Sequence, residues 1–247
     1  MTAVAPHSTS GTLQLAGQTV VVLGGSAGIG LETARLARAE GASLILTARR
    51  PDRLSEVARE LDARVAAFDV TDFDQLQRFF EELEGPVDHV LVTGPGPYYA
   101  LLEDFALEEA RRDVESHLLL PIVIAKHARG RVRGSLLFMG GTGGRRTAPG
   151  LSMIGALTAA MPALTKNLAL EVAPIRVNLI AAGFVDTPLS ASLLGDQLDA
   201  RRQELRETLP IRRVVGPGDI AALALHLMVN TALTGATFDI DGGQQLV

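Results

Sequence analysis

Thr19-Val20-Val21-Val22-Leu23-Gly24-Gly25-Ser26-Ala27-Gly28-Ile29-Gly30 is the stretch on which the fold turns. Its first five residues form an apolar run of strand length without polar alternation, as in a strand buried on both faces. Glycines follow at 24, 28 and 30, with Ser26 and Ile29 between them, and an amphipathic helical stretch, Ala27 to Glu40, begins at once. Each glycine has a physical task. Gly24 permits a tight turn, Gly28 removes a Cβ that would hold a bound anion off the backbone, and Gly30 lets the helix pack on the strand. The free N–H groups at the start of that helix then face an anion, so the turn reads as a cradle for the pyrophosphate of a dinucleotide.

Working outward, the same alternation of short apolar runs and longer amphipathic stretches continues to the end of the 247 residues. Strands are expected at 19–23, 43–48, 64–68, 89–93, 134–139, 176–181 and 237–240. Helices are expected at 27–40, 53–61, 73–84, 105–127, 153–172 and 218–229. This is the pattern of repeated β-α units and predicts an α/β fold: a Rossmann-type, doubly wound parallel sheet of about seven strands in a single domain, residues 13–247. Residues 187–209, helical in propensity, interrupt the alternation and read as a lid. Residues 1–12 read as a loose tail. Pro162 inside the helix at 153–172 is expected to kink it, because it lacks a donor and clashes with the carbonyl of Thr158.

Composition narrows the function classes. A hydrophobic share of 47% against 21% charged residues supports a sizeable core and a soluble chain. The net charge of -5 is spread out, and no basic stripe exists to neutralise a row of phosphates, so no nucleic-acid partner is expected. No run approaches the roughly 18 uninterrupted apolar residues of a membrane span. Cysteine is absent, which removes thiolate chemistry and fits a cytoplasmic location, and the histidines at 7, 89, 117, 127 and 226 lack ligand spacing, so no metal is expected.

About twenty residues past the glycine turn, the end of the second strand decides which dinucleotide fits. A carboxylate there would bond the ribose 2′-OH; a guanidinium attracts a 2′-phosphate. The residues are Thr47-Ala48-Arg49-Arg50. At ~4 Å and an effective dielectric of ~20, one such charge pair is worth about 4 kcal/mol before desolvation. The sign favours NADP(H) over NAD(H).

The chain resembles the short-chain dehydrogenase/reductase superfamily from Gly17 to about Gly243. Besides the glycine turn, Asp69-Val70 is similar to the pair that contacts adenine, and Thr93-Gly94-Pro95-Gly96 stands where the family has Asn-Asn-Ala-Gly. Gly183-Phe184-Val185-Asp186-Thr187 resembles the segment whose counterparts of Val185 and Thr187 hold the nicotinamide carboxamide. The resemblance implies a dinucleotide-dependent oxidoreductase acting on a small molecule, and a homo-oligomer, dimer or tetramer, packed through the long helices.

It also exposes a departure. The family's catalysis rests on an Asn, a Ser and a Tyr-x-x-x-Lys pair, and those positions are taken here by His117, Gly141, Ile154 and Thr158. Tyrosine occurs only at 98 and 99 and lysine only at 126 and 166, with Ile122 and Pro162 four residues before the lysines. No register restores the pair. His117 is the first candidate substitute proton donor, or a core histidine satisfying a backbone carbonyl; Tyr98 is the second, a phenol near pKa ~10 serving as donor rather than base, or packing in the core or pocket wall. Arg145 and Arg146 are candidates for an anionic substrate, or simply solvated. The readings left open are an oxidoreductase with a non-standard site, a catalytically silent NADP(H)-binding sensor or subunit, and an interaction module with a degenerate loop.

Overall fold

The computed structural model describes residues 13–247; the expected tail, 1–12, lies outside the described residues. Strands β1 (Thr19–Leu23), β2 (Ser43–Ala48), β3 (Arg64–Ala67), β4 (Val87–Val92), β5 (Val132–Gly141), β6 (Arg176–Ala182) and β7 (Thr237–Ile240) form one sheet. Their order is β3-β2-β1-β4-β5-β6-β7, parallel throughout. The chain builds outward from β1 to β3, then returns to lay β4 on the other side of β1. Such a reversal opens a crevice beyond the carboxyl ends of β1 and β4, where α/β sheets bind ligands.

The period of two along β1 sorts its side chains between two cores. Val21 and Leu23 pack with Phe79, Phe80, Ile124, Met161 and Leu168, drawn from helices α3 (Phe73–Glu81), α5 (Leu120–Ala128) and α6 (Ser152–Glu171). Val20 and Val22 pack with Ala34, Ala37, Leu54, Ile220 and Leu227, from α1 (Gly28–Ala39), α2 (Pro51–Leu61) and α9 (Pro217–Val229). Both faces are thus covered, which is why the central strands read as continuous apolar runs. Each large side chain so buried contributes roughly 1.5–3 kcal/mol.

One expected element differs. The helix expected over 105–127 is divided: α4 (Leu107–Val114) passes through a π-helical turn, Glu115–Leu119, into α5. The segment expected as a lid folds into α7 (Pro188–Leu194) and α8 (Leu198–Thr208), anchored by buried Leu205 and Leu209 and by Arg202 paired with Asp186 at 2.7 Å. Helix α6 runs continuously through Pro162. It is the one helix among the described residues long and apolar enough to cross a membrane, and here it packs on β6.

At the amino ends of the strands, His89 is buried, with Nε2 2.7 Å from Gln18 Oε1 and Nδ1 2.8 Å from Ser135 Oγ. The amide oxygen of Gln18 accepts from Nε2–H, so Nδ1 accepts from the Ser135 hydroxyl. Burial, then the nearby Arg176 charge, lowers its pKa to about 4, against a smaller opposing pull from Asp88. Because the folded value lies below the unfolded one, its stability contribution is complete above pH ~6.5 and is lost as pH falls toward 4, by ~1.4 kcal/mol per unit and roughly 3 kcal/mol in all. Urea unfolding midpoints should therefore drop between pH 6.5 and 4 for the native chain and less steeply for His89→Gln. Parallel slopes would show that His89 does not carry this dependence.

Candidate active site at the β1/β4 crevice

The glycine turn is held by contacts that only glycine admits. Gly24 has φ +100°, and a Cβ there would lie 2.4 Å from Thr93 Oγ1. A Cβ on Gly30 would lie 2.3 Å from the Gly24 carbonyl oxygen, so the first turn of α1 rests directly on the backbone leaving β1. The Thr93 hydroxyl bonds the Leu23 and Gly24 carbonyls, each at 3.2 Å, tying the end of β4 to the same turn. The amides of Gly24 and Gly25 donate to the Thr47 carbonyl of β2.

Gly28, at φ +52°, has the side chains of Thr187 and Pro188 as its nearest neighbours. The left-handed backbone is what demands glycine at this position, and the segment after β6 closes over it. Ala27 precedes α1 without any side-chain cap, which leaves the first amides of the helix available. Ser26 and Ile29 are partly exposed in that turn. An uncapped helix start, a left-handed glycine and no crowding Cβ together fit a pyrophosphate.

The remaining cofactor candidates surround this turn. Arg49, 73% exposed at its side chain, stands at the end of β2 with its guanidinium 4.0 Å from Asp69 beyond β3. Arg50 is exposed at the start of α2. Asp69 bonds the Thr71 amide at 3.0 Å and the Thr71 hydroxyl at 2.7 Å, which orients Asp69-Val70 at the crevice edge. Gly94, at φ +31°, has open space where a Cβ would stand. Gly96 sits under Leu189 of α7, whose Cδ1 would be 2.8 Å from a Cβ there.

On the nicotinamide side, Gly183 and Phe184 are braced by Gln244, whose Oε1 accepts the Phe184 amide at 2.8 Å. Val185 is buried and bridges to Val215, while Thr187 caps α7 by accepting from the Ser190 amide at 3.2 Å. The residues present therefore fit a dinucleotide: Gly24 to Gly30 for the diphosphate, Arg49 and Asp69 for the adenosine end, Val185 and Thr187 for the nicotinamide.

The catalytic end is different. Gly141 ends β5, and a Cβ on it would lie 3.3 Å from Thr158 Cγ2, so two of the positions singled out from the sequence are neighbours. Neither offers acid-base chemistry. Thr158 is buried, with its hydroxyl turned back on the carbonyls of Ile154 at 2.8 Å and Gly155 at 3.1 Å. Ile154 is a core side chain, 4% exposed.

Tyr98, expected as a donor to ligand, spends its hydroxyl elsewhere. It accepts from the Ala106 amide at 2.8 Å and donates to the Asp104 carbonyl at 3.4 Å, securing the start of α4. Arg145 and Arg146 are exposed to solvent and also engaged within the chain: Arg145 pairs with Asp239 and bonds Gln245 at 3.1 Å, and Arg146 bonds the Gln244 carbonyl at 2.8 Å. They fasten the C-terminal segment to the loop after β5.

His117 lies in the π turn, its side chain 15% exposed, with Nδ1 2.9 Å from Asp113 Oδ1. Its Nδ1–H also donates to the Asp113 carbonyl at 3.1 Å, and the buried Asp113 is a partner that sequence reasoning missed. Its signal was present as an acidic residue four positions before His117, one helical turn away.

The Gly24/Gly30 contact yields a direct test. Gly30→Ala should destabilise the chain by about 1–3 kcal/mol through overpacking and weaken NADPH binding at least tenfold in a fluorescence titration. Gly85→Ala, where a Cβ meets nothing within 4 Å, should change neither. Equal behaviour of the two variants would show that the turn is not held by this contact.

Comparison with known proteins agrees with this geometry. The family model described as enoyl-(acyl carrier protein) reductase matches residues 24–245. The chain is 31% identical to the oxidoreductase UcpA of Salmonella typhimurium, over 94% of this chain and 96% of that one. It is 26% identical to the short-chain dehydrogenase/reductase ATR9 of Stachybotrys chlorohalonatus, over 92% and 96%. Among solved structures, a small-chain dehydrogenase in complex with NADPH superposes with a TM-score of 0.80 at 29% identity, covering 93% of this chain and 99% of that one. A short-chain type dehydrogenase/reductase from Mycobacterium ulcerans superposes with a TM-score of 0.84 at 25% identity, covering 94% and 91%. With a glycine-turn Rossmann sheet matched over nearly its whole length, the chain belongs to the short-chain dehydrogenase/reductase superfamily of oxidoreductases.

Proposed function

We propose that this protein is an NADP(H)-dependent oxidoreductase that transfers hydride to or from a small molecule at a non-standard active site. The observation that carries the cofactor choice is Arg49. Its guanidinium projects into solvent at the end of β2, where Ala48 supplies no carboxylate to bond a ribose 2′-OH. Asp69, its only ionic neighbour among the described residues, stands at 4.0 Å and leaves most of the cation free for a 2′-phosphate. The NADPH complex of a structural relative supports the same choice.

Bound at this turn, a nicotinamide cofactor would supply the hydride, and the protein's part is to hold it, exclude water and place the substrate. Placement alone can lower a barrier by ~7–11 kcal/mol. Tyr99, Leu101, Leu102 and Phe105, exposed on the segment between β4 and α4, supply an apolar surface beside the crevice for a small-molecule substrate. Leu107, Leu119, Ile122 and Leu170, exposed on α4, α5 and the turns around them and on α6, support self-association through these helices.

A second reading is favoured by the tetrad positions themselves: buried Ile154 and inward-bonded Thr158 suit a silent NADP(H)-binding subunit as well as an enzyme. Both readings share the cofactor site, which calorimetry tests. NADPH should bind more tightly than NADH, and Arg49→Asp should weaken NADPH at least tenfold while leaving NADH within about twofold; tenfold is 1.4 kcal/mol, well inside one charge pair. Equal losses for both cofactors would contradict the assignment.

A further inference from the structure

We infer that Asp113 and His117 form a proton-relay pair standing in for the missing tyrosine and lysine, with His117 Nε2 exchanging the proton with the substrate oxygen and Asp113 positioning the ring. This rests on the oxidoreductase reading above.

Location comes first. Tyr98 lies on the loop leaving β4, just past Gly94 and Gly96, and its amide donates to Asp113 Oδ1 at 3.3 Å. The π turn that holds His117 packs against α6, the helix carrying Ile154 and Thr158. The pair therefore sits between the crevice loop and the helix that in the family supplies the tyrosine. A π turn inserted into an α-helix re-aims the side chains it carries, a device concentrated at functional sites.

The chemistry of the pair follows from its hydrogen bonds. His117 Nδ1 faces two oxygens of Asp113, Oδ1 at 2.9 Å and the carbonyl at 3.1 Å. The carbonyl accepts, so Nδ1 carries the hydrogen in either charge state of the ring, with the carboxylate beside it as the ion-pair partner. Nε2 has no hydrogen-bond partner among the described residues, and its protonation is what changes. In reduction the Nε2–H bond of the imidazolium breaks, an O–H bond forms on the substrate, and the neutral ring stays held through Nδ1–H. In oxidation Nε2 takes that proton back. The same division of labour between an orienting carboxylate and a working imidazole is found in hydrolytic triads.

Asp113 is a poor device for stability. Its side chain is 2% exposed, and its Oδ2 is buried without any hydrogen-bond partner. Burying a carboxylate costs several kcal/mol unless it is compensated, and an apolar residue of similar size would hold the helix more cheaply. The neighbouring cations are engaged elsewhere: Arg111 pairs with Glu108, and Arg112 with Glu109 at 2.6 Å. Helix α6 carries no titratable group before Lys166. Tyr99 faces the pair electrostatically: loss of hydration around its phenol first, and the Asp113 carboxylate second, raise its pKa above the ordinary value although the residue as a whole is half exposed. Among the described residues, His117 is therefore the one group in contact with the Asp113 carboxylate able to carry a compensating charge.

The test uses imidazole nitrogen NMR on the full chain, with NADP⁺ and with 2′,5′-ADP, which occupies the adenosine half alone. The His117 ring should show the Nδ1–H tautomer, and its Nε2 signal should shift with NADP⁺ but not with 2′,5′-ADP. Asp113→Asn keeps an oxygen for the Tyr98 amide and should fold, with the Nδ1–H tautomer retained through the backbone carbonyl of position 113 and kcat lowered. With 9,10-phenanthrenequinone as acceptor, His117→Ala should lower kcat by about 10²–10⁴-fold, with KM for NADPH within twofold. An Nε2–H tautomer in the native chain, identical responses to both nucleotides, an unaltered kcat, or no turnover by the native chain with NADPH bound would overturn the relay. If the Gly24 to Gly30 amides respond to neither nucleotide, the cofactor reading itself fails, a distinct result.

Discussion

A side chain at position 30 has nowhere to go, because the carbonyl oxygen of Gly24 already lies 2.3 Å from where its Cβ would stand. The first helix is thereby pressed against the strand that precedes it, and the Thr93 hydroxyl, bonded to the Leu23 and Gly24 carbonyls, fixes the end of β4 to the same point. Three elements thus meet where the sheet reverses direction. Their union sets the crevice, the free amides at its base and the distance from those amides to the loops beyond β4 and β6.

The two ends of the crevice have different chemistry. At the adenosine end the pieces of a dinucleotide site are present: an uncapped helix start, an exposed guanidinium, and an aspartate whose second oxygen is anchored to Thr71. At the other end Gly141, Ile154 and Thr158 offer no acid or base, and among the described residues the one acid–imidazole ion pair is Asp113 with His117. At such a site binding is performed by the backbone, whereas proton transfer is performed by side chains. The backbone half is the harder to lose, since it is built from steric contacts that also hold the fold.

Most of the fold was legible because its strands are buried on both faces: runs such as Thr19–Leu23 and Ser43–Ala48 announce themselves by unbroken apolarity, and the structure places both as expected. What was hidden depends on three-dimensional neighbours. The π turn at Glu115–Leu119 inserts one residue's worth of slack into a helix whose periodicity looks continuous, so 105–127 read as one element. Tyr98 and the two arginines of the β5 loop looked available because their partners, Ala106, Asp239 and Gln244, meet them only in the folded chain. Asp113 was overlooked although its spacing from His117 was visible, since an acidic residue in a helix rich in Glu and Arg gives no hint that it is buried.

What occupies the glycine turn decides the function of the whole crevice. A crystal structure with NADP⁺ should show diphosphate oxygens within hydrogen-bond distance of the backbone amides between Ser26 and Gly30, the 2′-phosphate against Arg49, and the nicotinamide ring between Val185 and the π turn. A nucleotide bound elsewhere, or a crevice that stays free of it at saturating concentration, would contradict the dinucleotide assignment.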